Sequence, residues 1–232
     1  MVLVATVRAL KYHGGQELKN LTTPNVEALE RGLSNLEKHV ENIKQFGLPP
    51  VVAINKFITD TQEELDAITK VCKANGIQVA LCEGWEFGGE GTKDLAAEVV
   101  KAVEVSTGTY TPIYDWNDSV EEKVTKVATK IYGAGSVVFN PKAKEGLKII
   151  KKLGLENLPI CIAKTQNSLS DNTKLLGRPE GFKLTVSEFE IAAGAGFIIP
   201  ITGSMLRMPG LPHVPAAEGI DIDKDGNITG LS

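Results

Sequence analysis

"VVAINKFITD", residues 51–60, joins an apolar run to a polar end. The run "VVAI" has the composition of a strand buried on both faces, as the strands of parallel sheets are. Its polar end is then the carboxyl tip, the place where open parallel sheets bind ligands. Many nucleotide-binding α/β proteins place an Asn-Lys pair there to read a purine. Guanine reading by N-K-x-D needs an Asp three residues after the Asn, to accept from the base's N1 and N2 donors. That position is Ile58, and Asp60 falls two residues too late. Asn55 and Lys56 therefore do not make a guanine reader. Asn55 stands either as a turn hydrogen-bonder or as a ligand contact.

Outward from this strand, elements alternate. "VLVATV" opens a strand over 2–9, apolar enough to be fully buried, and "KYHGGQELKN" is a polar turn. A strand buried from the first residue needs neighbours on both sides, so the chain reads as the later part of a longer protein. Thr23 is the expected cap of a helix with Pro24 at its first position. Val26, Leu29, Leu33, Leu36, Val40 and Ile43 recur at helical spacing, and Gly47 ends the helix. Asp60 and Glu63 have capping-box spacing for the next helix, which faces Leu65, Ile68, Val71 and Cys72 inward. Gly76 closes it, and "GIQVALCEGW" is the third strand. The glycine-rich "EFGGEGTKD" (86–94) leads to a helix capped by Thr92, with Leu95, Val99, Val100 and Val103 facing inward. Strands joined by helices predict an α/β fold: three layers on a mostly parallel sheet with right-handed crossovers, resembling half of a P-loop NTPase-type domain. Its ligand end would be built from "RALKYHGG", "NKFITD" and "CEGWEFGGEG".

A smaller α+β domain is expected over 107–232, after a first domain over 1–106. Ser119 and Glu122 form another capping box, for a helix carrying Val120, Val124, Val127 and Ile131. "GAGSVVFN" and "NLPICIAKT" read as strands, Asn140-Pro141 as a helix start, 165–182 as a polar loop, and 183–203 as two strands with glycine between them.

The totals suit a globular chain of one to two domains: 232 residues, 42% hydrophobic, net charge −4. No basic block points to nucleic acid, and no apolar run is long enough for a bilayer. Cys72, Cys82 and Cys161 are scattered, without metal spacing, which suggests a reducing, cytoplasmic setting.

Candidate chemistry is sparse. G-x-x-x-x-G-K-[ST] does not occur. Gly88, Gly89 and Thr92 form either a strand-to-helix turn or an anion site at a helix start. His13, in "KYHGG", is a ligand contact or a turn residue; His39 is packing or surface. No metal site is expected. "DIDKDGNITGLS" (221–232) has Asp221, Asp223, Asp225, Gly226 and Asn227 at calcium-loop spacings, but Ser232 stands where a bidentate Glu belongs, so a hairpin turning at Asp225-Gly226 is expected instead. Phe57 and Trp85 end neighbouring strands and suit the two sides of a flat heterocycle.

Four segments carry a resemblance: "VATVRALKYHGG", "LSNLEKHVENIKQFGLPPVVAINKFITDT", "AKTQNSLSDN" and "PITGSMLRMPGLP". Together they resemble formate–tetrahydrofolate ligase (formyltetrahydrofolate synthetase), over its carboxyl-terminal portion. The resemblance implies an ATP-dependent ligase that makes formyl phosphate from formate and MgATP and passes the formyl group to tetrahydrofolate, giving 10-formyltetrahydrofolate. It implies that Phe57 and Trp85 flank the folate pterin, although Ile58 stands where the family often has Pro. It also implies that the phosphate loop lies in an amino-terminal portion absent here, so that the chain alone is inactive. The partners implied are that portion or further copies in a homo-oligomer. The residues contacting formyl phosphate stay unassigned. A non-catalytic nucleotide-binding switch or an oligomerisation module is the alternative.

Overall fold

The computed structural model describes residues 1–203 and 212–230. β1 (Val2–Ala5), β2 (Val51–Asn55) and β3 (Gln78–Cys82) form a parallel sheet in the order β1-β2-β3, with Val52 between Leu3 and Val79. β2 is central, and Val51, Val52, Ala53 and Ile54 are all within 1% of complete burial, as the apolar run requires. Because side chains alternate along a strand, Leu3, Ala5, Val52, Ile54 and Val79 share one face. They pack against α1 (Val7–His13), α2 (Val26–Gln45) and α3 (Gln62–Ala74). α4 (Gly84–Phe87) is a single turn after β3, and α5 (Lys93–Val105) lies against β2 and β3.

Several expectations are corrected here. The strand expected over 2–9 stops at Ala5, and residues 7–13 are helical. Thr6 caps that helix by accepting from the Ala9 N–H, and Val7, Leu10 and Lys11 then share its buried side. β1 is an edge strand in which Val2 and Val4 are exposed, not a fully buried one. α2 is capped by Asn25, not Thr23, because the Asn25 side chain accepts from Ala28 N–H. The capping box of α3 is Thr61 with Glu64, one residue later than Asp60 with Glu63. Asp60 is instead engaged by the Phe57 N–H. α5 keeps only Ala102 fully buried; Val100 and Val103 are exposed.

α1 and α2 meet backbone to backbone. A Cβ on Gly14 would lie 1.7 Å from the Ala28 carbonyl oxygen, and one on Gly32 1.8 Å from that of Leu10. Only glycine fits at either position.

A second sheet pairs β4 (Ser136–Phe139) parallel to β5 (Lys183–Ala192), and β5 antiparallel to β6 (Phe197–Thr202). α6 (Val120–Val127), with its Ser119–Glu122 capping box, and α7 (Pro141–Lys152) cover it. "NLPICIAKT" is not a regular strand. It meets β6 only in isolated bridges, at Ile160–Ile198 and Ala163–Ile201. Pro159 and Pro200 remove two N–H donors from this pairing, which limits the ladder. β7 (Asp221–Ile222) and β8 (Ile228–Thr229) form the expected hairpin, with Gly226 at φ +87° in its turn. Residues 204–211 of "PITGSMLRMPGLP", and Ser232, lie outside the described residues.

The deepest polar feature is an ion pair. Lys11 and Glu64 are 1% and 0% exposed, with Nζ 2.9 Å from Oε1. Lys11 also donates to the Thr23 carbonyl, while Glu64 accepts from the Asn25 and Thr61 N–H groups. Burial alone would raise the Glu64 pKa; the hydrogen bonds from Asn25, Lys11 and Thr61 outweigh it and hold the carboxyl below its ordinary range. Removing one partner of such a pair strands the other charge. Lys11→Met is expected to cost about 3–5 kcal/mol in urea unfolding; an unchanged midpoint would contradict this structural role.

Candidate functional site at the carboxyl ends of the strands

β2 and β3 end side by side, and the chain past each tip is tied to the other. The Lys56 N–H donates to the Cys82 carbonyl, extending the pairing by one residue. Lys56 Nζ and Glu83 Oε1 form an ion pair at 2.6 Å between the two tips. Past Lys56 a tight turn reverses the chain: Asp60 N–H donates to the Phe57 carbonyl at 3.0 Å, and Phe57 N–H donates to Asp60 Oδ2 at 2.8 Å. Burial raises the Asp60 carboxyl above its usual range, against the Phe57 hydrogen bond.

Trp85 sits on α4, and its indole N–H donates to the Lys56 carbonyl at 2.7 Å. The ring that follows β3 is thus anchored to the residue just before Phe57. Phe57 is half-buried. Ile58 beside it in the chain (87%), and Trp85 (57%) and Phe87 (54%) on α4, are largely exposed. A cluster of exposed apolar side chains at the ligand end of a parallel sheet is the kind of patch that marks a binding surface. Ile58 and Phe87 were not singled out from sequence; their apolar character inside two otherwise polar tips was the available signal. Arg8 was also missed. It stacks on Phe57, with Cζ 4.6 Å from the ring centroid, and reading residues 2–9 as a strand hid its place on α1.

The remaining candidates separate. Asn55 is the last residue of β2, opposite Cys82, and half-buried. Gly88 (φ +58°) and Gly89 lie in the exposed turn after α4. Thr92 does not cap α5 through its side chain; its hydroxyl donates to the Gly89 carbonyl, and the Glu83 N–H donates to Gly91. These contacts close the loop on itself. His13 ends α1 rather than a strand, and its Nδ1 accepts from the Gly177 N–H at 3.2 Å. It therefore joins the first half of the chain to the loop 165–182. Among the described residues, no group of three or more His, Cys, Asp or Glu side chains is placed to hold a metal. No described helix is long and apolar enough to cross a membrane. A cleft of about 630 Å³ lies at the opposite end of the sheet, beside Pro50, Gly76 and Gln78, away from these aromatics.

The comparisons with known proteins fall on the whole chain. The family model for formate–tetrahydrofolate ligase matches residues 1–232. The chain belongs to the formate–tetrahydrofolate ligase family. A member from Petrotoga mobilis (strain DSM 10674 / SJ95), named formate–tetrahydrofolate ligase, is 51% identical over 231 residues. That alignment covers 100% of this chain and 42% of the relative, so the chain spans less than half of that ligase's length.

The contact between the two halves includes a histidine nitrogen that accepts a hydrogen bond, His13 Nδ1 from the Gly177 N–H. Burial, then His39, holds His13 below its ordinary 6.5. Burial, then Lys164 and Lys38, holds His39 below the same value. A protonated Nδ1 on His13 has no lone pair to accept the Gly177 N–H. For a histidine with a lowered folded pKa, the native state has its full stability above about 6.5. That stability is lost as pH falls through the folded value, because the unfolded chain takes the proton first. The urea midpoint is expected to drop between pH 7 and pH 5, and His13→Asn, which keeps an acceptor, should drop less. Equal drops in both proteins would contradict the assignment.

Proposed function

We propose that this chain is the folate-binding part of an ATP-dependent ligase that joins formate to tetrahydrofolate through formyl phosphate, giving 10-formyltetrahydrofolate. The observation that carries the reading is the pairing of Phe57 and Trp85 at adjacent strand tips, bound through the Lys56 carbonyl in a patch of exposed apolar side chains. Two ring faces suit the pterin, and each stacked ring contributes about 1 kcal/mol beyond area burial. Their larger effect is on position. Once formate carries a phosphoryl leaving group, attack by the folate N10 amine on the formyl carbon expels phosphate. The role of this chain's rings is to fix the pterin plane and thereby aim N10.

The reading places the ATP phosphates outside this chain. The Walker pattern is absent from the sequence, and in the glycine-rich loop 86–94 the Thr92 hydroxyl and N–H both donate to the Gly89 carbonyl while Lys93 pairs with Glu90. The reading therefore assigns the MgATP step to an amino-terminal portion of the family chain and leaves this chain inactive alone. It treats 1–106 as the latter half of a nucleotide- and folate-binding α/β domain and 107–232 as a carboxyl-terminal α+β domain, in a cytoplasmic enzyme. The exposed edge of β1, with Val2 and Val4 beside a small apolar cleft lined by Met1, Val51, Val99 and Val103, supports association with that portion or with further copies.

Tetrahydrofolate binding read by tryptophan fluorescence tests this directly. Trp116 is 63% exposed and would add signal, so Trp116→Phe is the background. Phe57→Ala should weaken binding about tenfold, through lost stacking and area, while the melting temperature stays within a few degrees. Unchanged affinity would count against the folate reading; tight binding of MgATP by the chain alone would count against the assignment of the phosphate step elsewhere.

A further inference from the structure

We propose that Arg8 is a positioning residue for the aromatic platform, setting both the plane and the electron distribution of the Phe57 ring. The proposal rests on the pterin reading of the site. The guanidinium carbon lies 4.6 Å from the Phe57 centroid, and Nη2 reaches Thr59 Oγ1 at 3.4 Å. Arg8 Nε is buried and, among the described residues, has no hydrogen-bond partner. An arginine near a carboxylate ordinarily closes a fork on it. Asp60 lies on the same turn as Phe57, yet its Oδ2 takes the Phe57 N–H and its buried Oδ1 has no hydrogen-bond partner among the described residues. Among the described residues Arg8 forms no ion pair. Its guanidinium lies over the Phe57 ring and, from there, also favours the Asp60 carboxylate through space.

The two residues hold Phe57 from different sides. Asp60 fixes the backbone of the turn, and Arg8 fixes the ring from a helix that cannot shift, since Lys11 on the same helix is locked to Glu64. With one face taken by Arg8, a ligand ring has only the other face of Phe57. A cation over one face of a phenyl ring draws π density toward itself. The opposite face becomes less negative and stacks better against an electron-rich ring. Tetrahydropterin, whose pyrimidine carries amino donors and whose pyrazine is reduced, is electron-rich; the oxidised pterin of folic acid is electron-poor. Arg8 therefore contributes to selection of the reduced form.

The experiment compares Arg8→Met, which keeps most of the stem and loses the charge, with Arg8→Lys, which keeps the charge. Affinities for tetrahydrofolate and folic acid are measured by fluorescence in the Trp116→Phe background, with melting temperatures alongside. Arg8→Met should weaken tetrahydrofolate binding about tenfold and folic acid binding only about threefold, and Arg8→Lys should restore most of the difference. Equal loss for both ligands, or no loss for either, would overturn the proposal. If Phe57→Ala leaves tetrahydrofolate affinity unchanged, the pterin reading itself fails. If Phe57→Ala weakens binding and Arg8→Met does not, only the role of Arg8 fails.

Discussion

The buried pair of Lys11 and Glu64 is the constraint on which the rest of the first half depends. Two charges removed from water are tolerable only when each is paired and hydrogen-bonded. Here the partners come from three places: α1 supplies Lys11, the segment before α2 supplies the Thr23 carbonyl and the Asn25 N–H, and the start of α3 supplies Thr61 and Glu64. The pair therefore determines where three helices begin relative to one another. Its reach extends to the carboxyl ends of the strands. The turn that presents Phe57 closes at Asp60, and the next residue is the Thr61 cap that Glu64 completes. Arg8 lies one helical turn before Lys11. The platform is thus fixed by polar contacts in the core as well as by its own apolar surface.

The second half is attached through specific polar contacts as well. Gly177 donates to His13 and accepts from Asn35, and Arg178 grips Glu41 of α2 with two hydrogen bonds, at 2.6 and 2.9 Å. The loop that carries them is organised around Lys164, whose ammonium donates to the carbonyls of Thr165, Ser168 and Ser170 and lies 5.1 Å from the Tyr132 ring centroid. Burial pushes that lysine down to about 8. The loop 165–182, opened by "AKTQNSLSDN" and carrying Gly177 and Arg178, is accordingly a folded link to α1 and α2, which explains why a long polar stretch without regular structure holds a single shape.

Much of this was legible in the sequence, and the failures have particular causes. "VVAINKFITD" gave a central parallel strand because four consecutive apolar residues can be buried on both faces only there. The α2 face, the Ser119–Glu122 box and the closing hairpin followed from spacing alone. Residues 7–13 were misread because Val7 and Leu10 continue the apolar character of β1, and Lys11 looked like the polar end of a strand. Nothing local reveals that Lys11 is buried, since its partner Glu64 is 53 residues away. The caps shifted by a residue or two wherever several Thr, Asn and Asp residues competed; tertiary partners, not propensity, chose Asn25 and Thr61. In the site, Phe57 and Trp85 were visible as aromatics at strand tips. Arg8 was not, because only the fold brings residues 8 and 57 together.

The central claim is that neighbouring strand tips present a fixed aromatic platform to the pterin of tetrahydrofolate. A crystal structure of the chain with tetrahydrofolate bound is the most direct measurement. The account predicts the pterin stacked on the face of Phe57 opposite Arg8, with Trp85 on its other side and the Lys56 carbonyl contact retained. A pterin seated elsewhere, or one that displaces Arg8 to reach Phe57, would contradict it.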